Sequence, residues 1–278
     1  LADTDPYFLG LDIGGTKLSA SVILDNGEVL NLGYLPLTSL DQLGDSANRL
    51  LDSFSIQGAQ RVGVAVAAWV SSRSKSPVFS PHRPELIRTD FVKLLGLEGP
   101  SRIVVDNDAN CAAFSELDLL GDSTTAVVNF GTGIGMAIVQ DGELLRGSEG
   151  FAGELGHCYA GGVVICECGA RGCLESELRA CFVTSADTLD VAQTKMSRYV
   201  ELGAMGLSWV IRILNPREIV VGGGVPLFWE NFVGDLIGAL PSYIPASQSF
   251  TLPLVRPSLH KEYSGSVGAA LMARSNLQ

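Results

Sequence analysis

Apolar runs broken by glycine-rich turns divide this chain into short buried segments. Phe8-Leu9-Gly10-Leu11-Asp12 reads as a strand that enters the turn Ile13-Gly14-Gly15-Thr16-Lys17. A second strand is expected from Leu18 to Leu24, then a turn at Asp25-Asn26-Gly27 and further strand from Glu28. The same plan returns later. Thr125 to Phe130 is a buried strand, Gly131-Thr132-Gly133-Ile134-Gly135 a turn and Met136 to Gln140 a strand. Asp141-Gly142 is a second turn, and Glu143-Leu144-Leu145 is strand again. Strand, glycine–threonine turn, strand, hairpin turn and strand thus occur twice, the mark of a structural duplication. Other buried strands are expected at 61–66, 102–105 and 218–221, with helices over 109–117 and 200–214 and a small-residue helix over 266–273. Alternating helix and strand predict an α/β protein. The pattern breaks between Leu117 and Asp122, which suggests a small domain over 1–117, with a C-terminal helix at 265–278 packing back on it, and a larger one over 118–264. Proline and serine between Ser71 and Pro84 suggest an irregular loop.

Composition narrows the partners. A 46% apolar and 18% charged chain of 278 residues predicts a globular protein with room for two cores, and no apolar run reaches the length of a membrane span. A formal charge of −11 argues against nucleic acid and against anionic membranes, both of which need concentrated Lys and Arg. It leaves open an anion held locally by backbone amides. The opening residues Leu1 to Pro6 lack the basic and apolar regions of a secretory signal, so a cytoplasmic protein is expected.

Candidate chemistry is concentrated in a few places. His157, Cys166, Cys168 and Cys173 offer four soft or borderline donors, the number a closed tetrahedral Zn²⁺ site needs. Gly169 and Gly172 allow the backbone between the cysteines to turn tightly. The turns Gly14-Gly15-Thr16-Lys17 and Gly131-Thr132-Gly133 each present unobstructed N–H groups, and the first adds a cation. As a matched pair they suit a polyphosphate, although neither has the Walker ending. Asp12, at the end of the first strand, is placed to hold Mg²⁺ through water. Gly222-Gly223-Gly224 follows a buried strand and permits close approach of a ligand to the backbone. Asn107 and Asp108 stand where a strand ends and a helix begins, a place suited both to helix capping and to taking a proton from a bound hydroxyl.

Taken together these segments resemble the ROK family of bacterial sugar kinases, repressors and open reading frames. The resemblance is carried by Asp12 to Lys17, Asn107-Asp108-Ala109-Asn110, Gly131 to Gly135, Gly153-Glu154-Leu155-Gly156-His157 and the box from Cys166 to Glu175. It implies a two-domain duplicated ribonuclease-H-like fold of the actin and hexokinase ATPase type, with ATP and sugar in an interdomain cleft. It further implies that Asp108 is the general base on the sugar hydroxyl, and that Asn107, Glu154, His157 and Glu175 hydrogen-bond the remaining hydroxyls. Gly14, Gly15, Thr16, Lys17, Gly131, Thr132, Gly133, Gly222, Gly223 and Gly224 would face ATP and Mg²⁺. The zinc would be structural, holding the loop that carries Glu175. A homo-oligomer, dimer or tetramer, is implied as well.

The expected activity is transfer of the ATP γ-phosphate to a hexose, most simply the 6-OH of glucose. Alternatives are a kinase for an N-acetylhexosamine such as N-acetylmannosamine or for fructose, and a sugar-sensing regulator with reduced turnover. The first phosphate strand begins by Phe8, which leaves no room for the helix-turn-helix of the family's repressors. Two departures bear on the sugar. Ala67-Ala68-Trp69 stands where the family carries Pro-Gly, and Ser80-Pro81-His82 where it carries Pro-Asn. The stretch between Glu175 and Met196 is also shorter than is usual in the family.

Overall fold

The computed structural model describes residues 7–53, 59, 61–97, 102–131, 133–244 and 252–275. In chain order these form β1 (Tyr7–Ile13), β2 (Lys17–Leu24), β3 (Val29–Pro36), α1 (Leu43–Asp52), β4 (Arg61–Val66), β5 (Trp69–Val70), β6 (Pro77–Phe79), α2 (Phe91–Leu94), β7 (Ile103–Asn107) and α3 (Asp108–Phe114). There follow β8 (Thr125–Phe130), β9 (Ile134–Gln140), β10 (Glu143–Leu144), α4 (Leu174–Ala180), α5 (Leu189–Leu214), β11 (Glu218–Gly222), α6 (Val225–Phe228), α7 (Phe232–Ala239), β12 (Leu254–Pro257) and α8 (Ser264–Ser275). The contacts divide the described residues into two units. One holds those up to Leu119, Leu144–Ala152 and those from Glu262; the other holds Leu120–Glu143 and Gly153–Lys261. The segment 144–152 therefore packs with the first unit, whereas the expected domain 118–264 is continuous.

Each unit has a five-stranded mixed sheet, and the two orders match: β3-β2-β1-β4-β7 in the first, β10-β9-β8-β11-β12 in the second. In each, one strand pairs antiparallel with its successor and parallel with a later strand, β1 with β2 and β4, β8 with β9 and β11. This is the duplication that the repeated sequence plan predicts. Strands buried on both faces, such as β4 and β8, carry nearly unbroken apolar runs because helices or loops cover both sides of them.

In the first sheet the parallel register aligns Gly10 with Gly63, Asp12 with Ala65 and Ala65 with Asp106. Helix α8 lies directly over the glycine row. A Cβ on Gly10 would stand 1.8 Å from the Ser266 carbonyl oxygen, and one on Gly63 would stand 1.9 Å from that of Ala269. Small residues on the helix (Gly265, Ser266, Gly268, Ala269, Ala270 and Ala273) make the same approach possible from the other side. In the second unit, the buried face of α5 meets β8 and α7 in a core where the Phe130 and Phe232 rings meet edge-on at 5.1 Å.

Three elements differ from the sequence reading. Helix α5 begins at Leu189 rather than Val200, with the Thr188 side chain accepting from the Val191 N–H as its cap. Its first turns are largely exposed, so the apolar period that marks a buried helix is missing there. Helix α3 stops at Phe114 and gives way to a short 3₁₀ turn over Leu117–Leu119. The stretch expected as an irregular loop contains β6, which forms a hairpin with β5 just before it, Trp69 pairing with Phe79.

The glycine row yields a test. Gly63→Ala forces a methyl group into the α8 backbone and is expected to cost about 3 kcal/mol or more, read as a lowered urea midpoint. The exposed Gly121→Ala, with nothing within 4 Å of its added Cβ, serves as the control.

Candidate active site and metal centre

The first unit gathers its carboxylates at one edge of its sheet. Asp12 lies near the end of β1, and Asp106, Asn107 and Asp108 lie where β7 runs into α3. The Asn107 side-chain oxygen accepts from the N–H groups of Ala109 (2.9 Å) and Asn110 (3.2 Å), so this residue caps α3. Its amide nitrogen donates to the Ala68 carbonyl at 3.0 Å, which ties the cap to the turn leading into β5. Asp108 opens the helix, and its Oδ1 accepts from the Ala109 N–H at 2.8 Å.

Asp106 is buried, and its charge is matched by Arg146 at 2.6 Å, with further bonds from Asn110 Nδ2 (3.0 Å) and the Asn107 N–H (2.8 Å). The sequence reading did not single out Arg146, because nothing in its neighbourhood shows that residues 144–152 reach Asp106. The Asp12 carboxyl is pushed up to about 7, first by burial and then by the Asp108 charge, with Lys17 and the Ser19 hydroxyl acting in the opposite sense. Burial together with Asp106, Asp12 and Asp108 also drives the Cys111 thiol well above its ordinary range. Asp12 and Asp108 repel each other's charge while Arg146 offsets that of Asp106, which leaves the first pair suited to a hard cation.

The turn between β1 and β2 is closed by the Gly14 N–H bonding to the Lys17 carbonyl at 3.0 Å. Buried Arg83 steadies it, donating Nε to the Gly15 carbonyl (3.2 Å) and Nη2 to that of Leu37 (2.6 Å). Thr16 and Lys17 are exposed, and the Lys17 ammonium lies 5.2 Å from the centre of the Tyr34 ring. At the departure from the family pattern, Trp69 packs against Phe79 (4.9 Å) and Phe151 (5.3 Å).

The second unit brings together the other glycine turns. Gly131 bonds through its N–H to the Gly133 carbonyl at 2.9 Å, and Thr132 lies outside the described residues. Gly223 has φ +89, and a Cβ there would stand 2.3 Å from the Phe130 carbonyl oxygen, so the 222–224 turn sits against the end of β8. Glu175 lies beside the 131–133 turn. Its Oε2 accepts from the Ile134 N–H at 3.1 Å and would be 2.1 Å from a Cβ on Gly133.

His157, Cys166, Cys168 and Cys173 converge, with their ligand atoms all within 4.8 Å of one another. Zn–S bonds of about 2.3 Å place tetrahedral ligands about 3.8 Å apart. The Cys168–Cys173 sulfurs and the Cys166 Sγ–His157 Nδ1 pair are each at 3.7 Å, so the donor set fits zinc. The other ring nitrogen of His157 lies 3.9 Å from Glu154 Oε2. Burial, with added repulsion from neighbouring sulfurs, pushes the Cys173 thiol up to about 12 and raises Cys166.

A family model described as the ROK family matches residues 8–178. The chain belongs to the ROK family. Among curated relatives of this ROK protein, a glucokinase of Halalkalibacterium halodurans is 28% identical over 269 residues, covering 80% of this chain and 81% of that one. An N-acetylmannosamine kinase of Escherichia coli O157:H7 is 28% identical over 290 residues, covering 96% and 98%. A solved ROK family glucokinase from Streptomyces griseus, in complex with glucose and AMPPNP, superposes with a TM-score of 0.82 at 24% identity, covering 97% of this chain and 99% of that one. The fold of this ROK protein is thus the duplicated α/β fold of the actin and hexokinase type, and the protein is a phosphotransferase enzyme. Among its described residues, no helix is long and apolar enough to cross a membrane.

Two outcomes are expected. Folded Asp12 keeps its proton to about 7, whereas the unfolded residue loses it near 3.8. The folded state binds more protons in that window, so stability from this group falls as pH rises through it. Asp12→Asn should flatten that fall and raise stability at about pH 8 relative to about pH 5, measured by urea unfolding without divalent cations. At the cluster, metal must displace thiol protons. Zinc-loaded protein should therefore release the metal and lose thermal stability together on acidification or chelation, followed by metal analysis and thermal scanning.

Proposed function

We propose that this chain is an ATP- and Mg²⁺-dependent sugar kinase that phosphorylates a hexose hydroxyl, the 6-OH of glucose or of N-acetylmannosamine. The observation that carries the reading is the electrostatic neighbourhood of Asp12 and Asp108 at the edge where β1 and β7 end, beside a glycine–threonine–lysine turn. A cation-attracting carboxylate and a base at the start of a helix are what phosphoryl transfer to an alcohol needs. The glucokinase and the N-acetylmannosamine kinase are equally similar to the chain at 28% identity, which keeps both sugars in the proposal.

In this mechanism Asp108 accepts the hydroxyl proton. A carboxylate is a weak base toward an alcohol, so the proton leaves late, as the bond to phosphorus forms. Mg²⁺, held through water by Asp12, would neutralise charge on the phosphates. The backbone N–H groups of the turns at 14–17, 131–133 and 222–224, apart from those of Gly14 and Gly131 that close their own turns, would orient the nucleotide's anionic oxygens without needing side chains. Glu154, His157, Glu175 and Asn107 orient the sugar. His157, Cys166, Cys168 and Cys173 would hold a zinc ion whose contribution is rigidity alone, leaving one ring nitrogen of His157 as an aimed hydrogen-bonding group.

ADP release is the assay. With ATP and Mg²⁺, glucose or N-acetylmannosamine should stimulate it, and fructose should do so weakly. Asp108→Asn is expected to lower kcat about a hundredfold or more while sugar affinity stays nearly constant. Full turnover in that variant would remove Asp108 from the mechanism. Sugar binding by wild type with no turnover would point to a sensor instead.

A further inference from the structure

Helix α4 starts immediately after a metal-cluster residue. Cys173 is its N-cap, Glu175 stands in its first turn, and Arg179 follows one turn later on the same face. The Arg179 guanidinium makes two ion pairs in different directions. Its Nη2 is 3.5 Å from Glu175 Oε1, and its Nη1 is 2.5 Å from Glu167 Oε1. Glu167 lies between Cys166 and Cys168, inside the metal loop. The second oxygen of Glu175 is occupied by the Ile134 N–H at 3.1 Å, so the carboxylate is held at both ends.

Around residues 164–167 the loop stands off α4, although at Gly162 it lies close against Glu177. A cavity of about 270 Å³ lies between them, lined by Val164, Ile165, Glu167, Glu175, Ser176 and Arg179. A charged bridge spans the gap that packed side chains would otherwise fill. Glu175 has a side chain only 9% exposed, whereas Arg179 and Glu167 are at 30% and 45%. The exposed Arg179–Glu167 pair alone is worth little. The nearly buried Glu175 is different, because removing Arg179 takes a counter-charge from a carboxylate in a poorly solvated place.

We propose that Arg179 is a positioning residue that fixes Glu175 and couples it to the metal loop, so that sugar binding and metal retention reinforce each other. The proposal rests on the reading of Glu175 as a sugar contact and of the cluster as a zinc site. Coupling of this kind is reciprocal: if the held loop favours sugar, bound sugar must favour the held loop.

The full chain is compared with Arg179→Ser, Arg179→Lys, Glu167→Gln and the Glu167→Gln/Arg179→Ser double variant. Arg179→Ser is expected to raise KM for the sugar about tenfold, with kcat and KM for ATP nearly unchanged. Arg179→Lys should recover part of the loss, since it keeps the charge but not the fork. Glu167→Gln should shift KM in the same direction by less, and the double variant should be no worse than Arg179→Ser. A second readout is chelator-driven metal release, followed with a metal-sensitive dye. Saturating glucose or N-acetylmannosamine should slow release from wild type, and this protection should shrink in Arg179→Ser.

Equal shifts in both KM values, additive effects in the double variant, or undiminished protection in Arg179→Ser would overturn the coupling while leaving the kinase reading intact. A wild type that neither turns over a sugar nor gains protection from one would overturn both.

Discussion

Parallel register between β1, β4 and β7 is the constraint on which the first unit depends. It sets Asp12, Ala65 and Asp106 in one row across three strands, and Ile13, Val66 and Asn107 in the next. Strands about 4.8 Å apart then bring residues nearly a hundred positions apart in sequence to one edge. The row in front of the carboxylates is Gly10, Gly63 and Val104, and its two missing side chains let α8 lie almost on the backbone. The N-terminal end of α8 then touches Asp12, since a Cβ on Gly265 would stand 2.6 Å from its Oδ2. One packing decision therefore serves two ends: it buries the helix and it shields the carboxylate from part of the water around it. The raised proton affinity of Asp12 follows from that burial and from the nearby charge of Asp108.

The second unit solves a different problem, that of holding a loop with little regular structure. Between His157 and Cys173 the described backbone has only isolated bridges, Tyr159 with Cys173 and Ile165 with Arg171. Such a loop buries too little apolar surface to hold itself in place, and it leaves Val163 and Ile165 largely exposed. A metal on the four convergent donors would supply what a core supplies elsewhere, in the manner of small zinc modules. With Cys173 at the start of α4, that rigidity would extend into the helix bearing Glu175. Glycine again sets the fit, since Gly133 must lack a side chain for the Glu175 carboxylate to occupy its position.

The repeated strand plan was plain in the residues because a buried strand is a local signal. The spans 61–66 and 125–130 coincide with the strands that form, since each is mostly apolar, with polar residues only at Arg61, Thr125 and Asn129 near the ends. The donor spacing was equally local, and the fold does draw His157, Cys166, Cys168 and Cys173 together. Exposed helix carries no such mark. The first turns of α5 went unseen because capping by Thr188, rather than an apolar face, begins that helix. The β5–β6 hairpin was hidden for a related reason. It is only two and three residues long, and what holds it is the contact of Trp69 with Phe79 and with the distant Phe151.

By itself the sequence determined the duplication, the glycine turns and the donor set, because each is written in neighbouring residues through period, turn chemistry or ligand type. Tertiary structure alone decided which charges meet. Arg146 reaches Asp106 only because residues 144–152 pack with the first unit, and Arg179, already paired with Glu175 one helical turn away, reaches Glu167 only because the cysteine loop folds back along α4. An ion pair depends on distance in space, and a chain's order does not encode that distance until strands take their register and helices choose a face.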